Sequence, residues 1–245
     1  MNTDEILVID VETASEFSSF NEMDADWKEL WSEKVSKIKE DANASEMYQL
    51  RSGVMAEFSK VICISIGHFV GSSKLKFKIE SFYGYDERKL LEKFISFLHE
   101  ISKIKSKWFF AGHNIKEFDI PFLCRRILKN DMGIPDCLNF QNKKPWESMV
   151  LDTFQFWRFG DYKNFTSLKL LARTLNLPSP KNDIDGGMVG GLYWEKNPAK
   201  RHFNMIRIAD YCSKDVEITI RIILKLTKIE INTFSVENAL SDLIE

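Results

Sequence analysis

The segment Ile6-Leu7-Val8-Ile9-Asp10-Val11-Glu12-Thr13 begins with four apolar residues in a row. A continuous rather than alternating run suits a strand buried on both faces of a sheet. Its polar end carries Asp10 and Glu12. Residues two apart in a strand point to the same face, so these two carboxylates can share a cation. Fold and chemistry therefore meet within eight residues.

Beyond this strand, residues 15–53 alternate charged residues with apolar ones at partly helical spacing, Trp27, Leu30 and Trp31 standing at i, i+3 and i+4. The pattern predicts an amphipathic helical insertion between two strands. Residues 61–70 (VICISIGHFV) and 75–83 (LKFKIESFY) read as strands joined in a hairpin through Gly71-Ser72-Ser73. Leu90, Leu91, Phe94, Ile95, Leu98 and Ile101 recur at helical spacing over 86–104, with Asp86 as the cap. A short strand over 108–111 and a helix over 119–129 follow. The sequence then predicts a strand over 150–156, a helix over 167–175 and a turn-rich loop at LPSPKNDIDGGMVGG, residues 177–191. A last long helix spans 203–229. Strands first, then strands alternating with helices, imply a mixed α/β sheet flanked by helices.

The 245 residues suffice for one large domain with a full core. With 44% apolar and 29% charged residues the composition is that of a globular chain. The longest apolar runs are about half of what a membrane-spanning helix needs. No secretory signal is visible at MNTDE, so the expectation is a soluble, cytoplasmic protein with no membrane partner. Cys63, Cys124, Cys137 and Cys212 show no zinc-ligand spacing and read as free thiols. The net charge of −2 excludes a broadly basic surface, so any nucleic-acid contact must be local.

Two further segments end on acids. Asp119 closes FFAGHNIKEFD, and Asp215 lies four residues after Tyr211 in DYCSKD, on the same helix face. Four converging carboxylates are unfavourable unless cations neutralise them, and hard divalent cations prefer oxygen ligands. Two such ions about 4 Å apart activate a water and stabilise a leaving 3′ oxygen, the needs of phosphodiester hydrolysis. Tyr211 would stand beside Asp215 and orient the water.

Asp10-Val11-Glu12-Thr13, Asn114 through Phe118-Asp119, and Tyr211-Cys212-Ser213-Lys214-Asp215 resemble, in order, the three motifs of the DEDD-type 3′-to-5′ exonucleases. The segments KVICISIGHF, DTFQFWRFGDYKNFTSLKLLA and SPKNDIDGG are similar to stand-alone exonucleases related to the proofreading domain of family B DNA polymerases. The histidine subclass has a His five residues before the last Asp. Asp210 occupies that position here, so the resemblance is to the tyrosine subclass. It implies a ribonuclease-H-like fold, catalysis by Asp10, Glu12, Asp119, Tyr211 and Asp215, and two Mg²⁺ or Mn²⁺ ions on the four carboxylates. The implied partner is nucleic acid, DNA before RNA. Thr13 and Asn114 resemble positions that help hold the terminal nucleotide, although each is also an ordinary local hydrogen-bonder; Phe118, the third candidate for nucleic-acid contact, reads as a core aromatic ahead of a base-stacking platform. His113 reads as structural, whereas Asp152 and Asp185 could support a metal's outer shell or contact substrate. An exoribonuclease, a mononucleotide phosphohydrolase and a non-catalytic nucleic-acid-binding module remain open alternatives.

Overall fold

The structure, a computed structural model, describes residues 3–39, 41–71, 76–105, 107–141, 143–144, 147–178, 183–229 and 234–245. In chain order the opening strand β1 (Ile6–Ser15) is followed by helices α1 (Ala25–Ser36) and α2 (Ala44–Arg51), then by strands β2 (Ser59–Val70) and β3 (Lys76–Tyr83). Helix α3 (Glu87–Ile104), strand β4 (Phe109–Gly112), helix α4 (Asp119–Lys129) and strand β5 (Val150–Asp152) come next. Four helices, α5 (Thr153–Arg158), α6 (Leu168–Thr174), α7 (Gly186–Tyr193) and α8 (Pro198–Thr227), precede a final strand β6 (Ser235–Leu240). The sheet order is β5-β4-β1-β2-β3-β6. β1, β2 and β3 run antiparallel to their neighbours in turn, β4 lies parallel to β1 and β5 to β4, and β6 is parallel to β3. This is the expected ribonuclease-H-like mixed sheet, with β1 near its middle.

Strand parity decides what each face of β1 meets. Leu7, Ile9 and Val11 pack with Leu91, Phe94 and Leu98 of α3 and Phe122 and Leu123 of α4. Ile6 and Val8 face the opposite way, onto Val216, Ile220 and Ile223 of α8. Asp10 and Glu12 continue that second face and so look toward α8. Opposite them on β2 stand Ser65 and Cys63, and opposite Val8 stands Gly67. These small side chains let α8 lie close to the sheet. A Cβ at Gly67 would come within 2.5 Å of the Phe77 ring and 2.9 Å of Val216. The β1–β2 register slips between Glu12 and Thr13, so Ile62 is an extra residue on β2. Such bulges redirect side chains near functional sites.

The insertion folds on a small core of its own. Trp31 is fully buried and meets Tyr48 and Phe58 edge-on, with ring centroids 5.2 and 4.9 Å away. Trp27 is half-buried, and Leu30, expected on the same face, is exposed. Buried Arg126 of α4 fastens the insertion to the main body. Its guanidinium donates to Glu87 of α3, to Glu16 and to the Ala56 carbonyl. The Glu87 carboxylate also accepts from the Val61 N–H at 2.7 Å.

Three expectations need correction. Residues 153–156 are helical rather than extended, because Asp152 ends β5 and caps α5 by accepting from the N–H groups of Phe154 and Gln155. The segment read as a loop contains α7, capped by Asp185 and held by buried Val189 and Tyr193; residues 179–182 of that segment lie outside the described residues. Strand β6 is an addition that the sequence pattern does not predict. The hairpin pairs as predicted, although its turn residues 72–75 lie outside the described residues.

Candidate active site

The sheet and two helices bring the predicted carboxylates to one place. Asp10 and Glu12 project from β1 toward α8, and donor atoms of Asp10, Glu12 and Cys212 lie within 4.8 Å of one another. Asp119, buried at the first turn of α4, reaches back to β1 and accepts from the Val11 N–H at 3.1 Å. That N–H lies past the end of the β1–β4 pairing, which stops at Val8, so the carboxylate satisfies a donor that the sheet leaves free. Tyr211 and Asp215 come from one face of α8, four residues apart, so that the phenol lies beside the Asp215 carboxylate.

The electrostatics are those of acids crowded together away from water. Burial and then the Asp119 charge push Asp10 up to about 7. Burial raises Asp119 to about 7, against the lowering effect of the backbone N–H groups that it accepts. Burial and the Asp10 charge raise Asp215 to about 8, and burial followed by Asp10 and Asp215 raises Glu12 as well. The Tyr211 phenol is driven upward by burial and by Asp215, Glu12 and Asp10. Among the described residues no Lys or Arg forms an ion pair with any of the four acids. The Asp10 Oδ2 atom is buried without a hydrogen-bond partner. Oxygen donors without protein cations, one of them unpaired, are a chemical fit for hard divalent ions.

The neighbouring residues divide into those that hold the site and those that line it. Asp152, buried at the end of β5, accepts from the N–H groups of Asn114 and Lys116 at 3.0 and 3.2 Å, besides capping α5. It thereby shapes the turn that delivers Asp119. From the sequence Asp152 reads as outer-shell support for a metal or as a substrate contact; the signal for its capping role is an Asp directly before TFQF, an N-cap pattern. His113 is fully engaged, with Nδ1 on the Thr153 hydroxyl at 2.9 Å and Nε2 on the Thr166 carbonyl at 2.8 Å. Its structural reading agrees with those bonds.

Asn114 adopts a left-handed φ of 62°, and its Oδ1 is buried without a partner. The Thr13 hydroxyl donates to the Gly53 carbonyl at 2.6 Å, tying β1 to the insertion. Phe118 packs against the core beside Phe122. Asp210 faces solvent and pairs with Lys214 at 2.6 Å. Cys212, absent from the expected site, donates its thiol to the Asp10 carbonyl at 3.3 Å. A cavity of about 310 Å³ opens beside Tyr211 and Asp215, lined by Ser167, Lys169 and Asp185 among others. It places one cation, Lys169, at the edge of the acid cluster.

No helix among the described residues is long and apolar enough to cross a membrane. No curated protein matches the chain. Among solved structures, the family B DNA polymerase from the hyperthermophilic archaeon Pyrobaculum calidifontis is similar with a TM-score of 0.50 and 16% sequence identity. The likeness covers 89% of this chain and 24% of that one, so the chain spans about a quarter of the polymerase's length. At this identity the similarity concerns the fold. A family model described as predicted 3′-5′ exonuclease related to the exonuclease domain of PolB matches residues 54–239, from just before β2 to within β6. Asp119, Tyr211 and Asp215 fall inside the match, and β1 with Asp10 and Glu12 precedes it. The chain belongs to this family of predicted 3′-5′ exonucleases.

Proposed function

We propose that the protein is a metal-dependent 3′-to-5′ exonuclease that releases 5′-mononucleotides, with single-stranded DNA as substrate in preference to RNA. The observation that carries the reading is the cluster of four acids with raised proton affinity and no basic partner, in a chain whose family is that of predicted exonucleases. Asp10, Glu12, Asp119 and Asp215 would hold two Mg²⁺ or Mn²⁺ ions. Bound there, the ions would supply positive charge to the attacking water and to the departing 3′ oxygen.

The chain's own groups do the rest. Tyr211 stays protonated, since burial and three carboxylates oppose its ionisation. With its proton turned toward the neighbouring Asp215, the phenolic oxygen would be free to accept a hydrogen from water and to turn a water lone pair toward phosphorus. The water oxygen bonds to phosphorus, the bond to the 3′ oxygen of the preceding nucleotide breaks, and that oxygen takes up a proton. Asn114, Thr13 and Phe118 are assigned to the terminal nucleotide, Asn114 through its unpaired Oδ1.

The test is digestion of 5′-labelled and 3′-labelled single-stranded, duplex and RNA oligomers with Mg²⁺ or Mn²⁺, wild type beside Asp215→Asn. Shortening from the 3′ end that the variant loses is the expected result. Intact oligomers with both proteins would overturn the proposal, and faster loss of RNA would make the enzyme an exoribonuclease.

A further inference from the structure

The segment from α5 to α6 carries large apolar side chains that the core does not use. Phe159 is 88% exposed, Tyr162 77% and Phe165 65%. Phe159 also has a left-handed φ of 44°, a conformation that costs a bulky residue free energy. An aromatic ring held in water on strained backbone gains nothing for folding. Neighbouring contacts give Tyr162 and Phe165 a fixed setting. The Arg158 guanidinium stacks on the Tyr162 ring, 4.1 Å from its centroid, and the Phe165 ring lies 5.0 Å from that of Phe154. The His113 ring meets both Phe154 and Phe165 edge-on, while its nitrogens engage Thr153 and Thr166.

His113 directly precedes the turn that delivers Asp119, and Ser167 and Lys169 line the cavity beside Tyr211 and Asp215. The aromatic segment is therefore continuous with the acid cluster at both ends. Over residues 156–169 it contains Arg158, Lys163 and Lys169 against one acid, Asp161, although Arg158 also lies 3.6 Å from Glu117. Exposed rings interleaved with cations are the composition of surfaces that bind single strands, where bases stack and phosphates are neutralised. In a duplex the base faces are already stacked and are not available to them.

We propose that Phe159 and Tyr162, the latter stacked on Arg158, form a stacking platform for unpaired bases of a single-stranded nucleic acid whose 3′ end lies at the acid cluster. The proposal rests on the exonuclease reading for its polarity and adds how the polymer is gripped. It makes base faces, rather than backbone charge alone, the reason that a single strand is held.

The test compares binding of a 5′-fluorescein (dT)12 with a 12-mer of abasic residues, by anisotropy in EDTA with the full chain. The double variant Phe159→Ala/Tyr162→Ala is expected to bind (dT)12 at least about tenfold more weakly, from the loss of two stacked bases, with abasic binding unchanged. Tyr162→Phe should retain wild-type binding, because the ring and not the hydroxyl does the stacking. Equal losses on both oligomers, or no loss on either, would overturn the platform. Thermal melting of the double variant checks its fold. Digestion of single-stranded DNA and RNA oligomers with Mn²⁺ separates the two proposals: oligomers left intact by the wild type sink the exonuclease reading, while the binding comparison in EDTA still judges the platform.

Discussion

Replacing Asp152 tests whether the candidate site is held in shape by a carboxylate that is not itself a metal ligand. In Asp152→Ala the N–H groups of Asn114 and Lys116 lose their acceptor, and α5 loses its cap. Two bonds to a charged acceptor are worth about 1.5 kcal/mol each at the low end of the usual range. Loss of the cap adds about 1 kcal/mol. The expected destabilisation is thus about 4 kcal/mol, or a fall of about 8–16 °C in melting temperature for a chain of this size. Asp152→Asn should cost about half as much. Its oxygen can keep the Oδ1 bonds to Asn114, Phe154 and Gln155, while its amide must face the Lys116 N–H donor donor-to-donor. Urea denaturation, followed by fluorescence and circular dichroism together, measures both. A loss below about 1 kcal/mol for the alanine variant, accompanied by weaker divalent-ion binding, would refute the positioning role and make Asp152 a ligand.

Arg126→Ala should destabilise by about 3–5 kcal/mol, because it leaves Glu87 and Glu16 without their shared guanidinium; a melting temperature unchanged within error would contradict this. Tyr211→Phe should lower kcat about a hundredfold while leaving urea stability within about 1 kcal/mol, and full activity of this variant would remove the hydroxyl from the mechanism. The pH dependence has a definite sign. Asp10, Asp119 and Asp215 sit at about 7, 7 and 8 in the native state, above the ordinary carboxylate value that the unfolded chain keeps. Between about pH 4 and 8 the metal-free native state therefore holds protons that the unfolded chain has released, so stability falls as pH rises. Calorimetry in EDTA should show the melting temperature dropping from pH 5.5 to 8.5. Added Mg²⁺ or Mn²⁺ should raise it more at pH 8 than at pH 6, and a melting temperature that climbs with pH would oppose the reading.

The parts of the fold that were legible in the sequence are those where burial imposes a period. The apolar run of β1 is unbroken because both of its faces are buried, and the stripes of α3, α4 and α8 repeat at the spacing of the face they bury. The failures have separate causes. Residues 153–156 are rich in residues that favour strands, and a single capping acid overrides that preference. Four glycines in eight residues conceal α7, which tertiary burial of Val189 and Tyr193 sustains. Strand β6 lies at the sheet edge with every side chain at least partly exposed, so no alternation marks it. In the candidate site, strand parity and helical spacing were enough to bring Asp10 with Glu12 and Tyr211 with Asp215. The contributions of Asp152 and Cys212 depend on distant partners, Asn114 and Asp10, which no local pattern connects.

The bond from the Val11 amide to Asp119 complicates the choice of an inactive control. Asp119→Ala would remove an oxygen from the cluster and, in the same stroke, strip a main-chain donor of its acceptor in the strand bearing the other two acids. Silence from such a variant could report a disturbed β1 as readily as an absent ligand. Asp119→Asn, which can still offer an oxygen to Val11, separates the two effects. Asp215 accepts from no main-chain donor of another element among the described residues, and is the cleaner position for a dead enzyme.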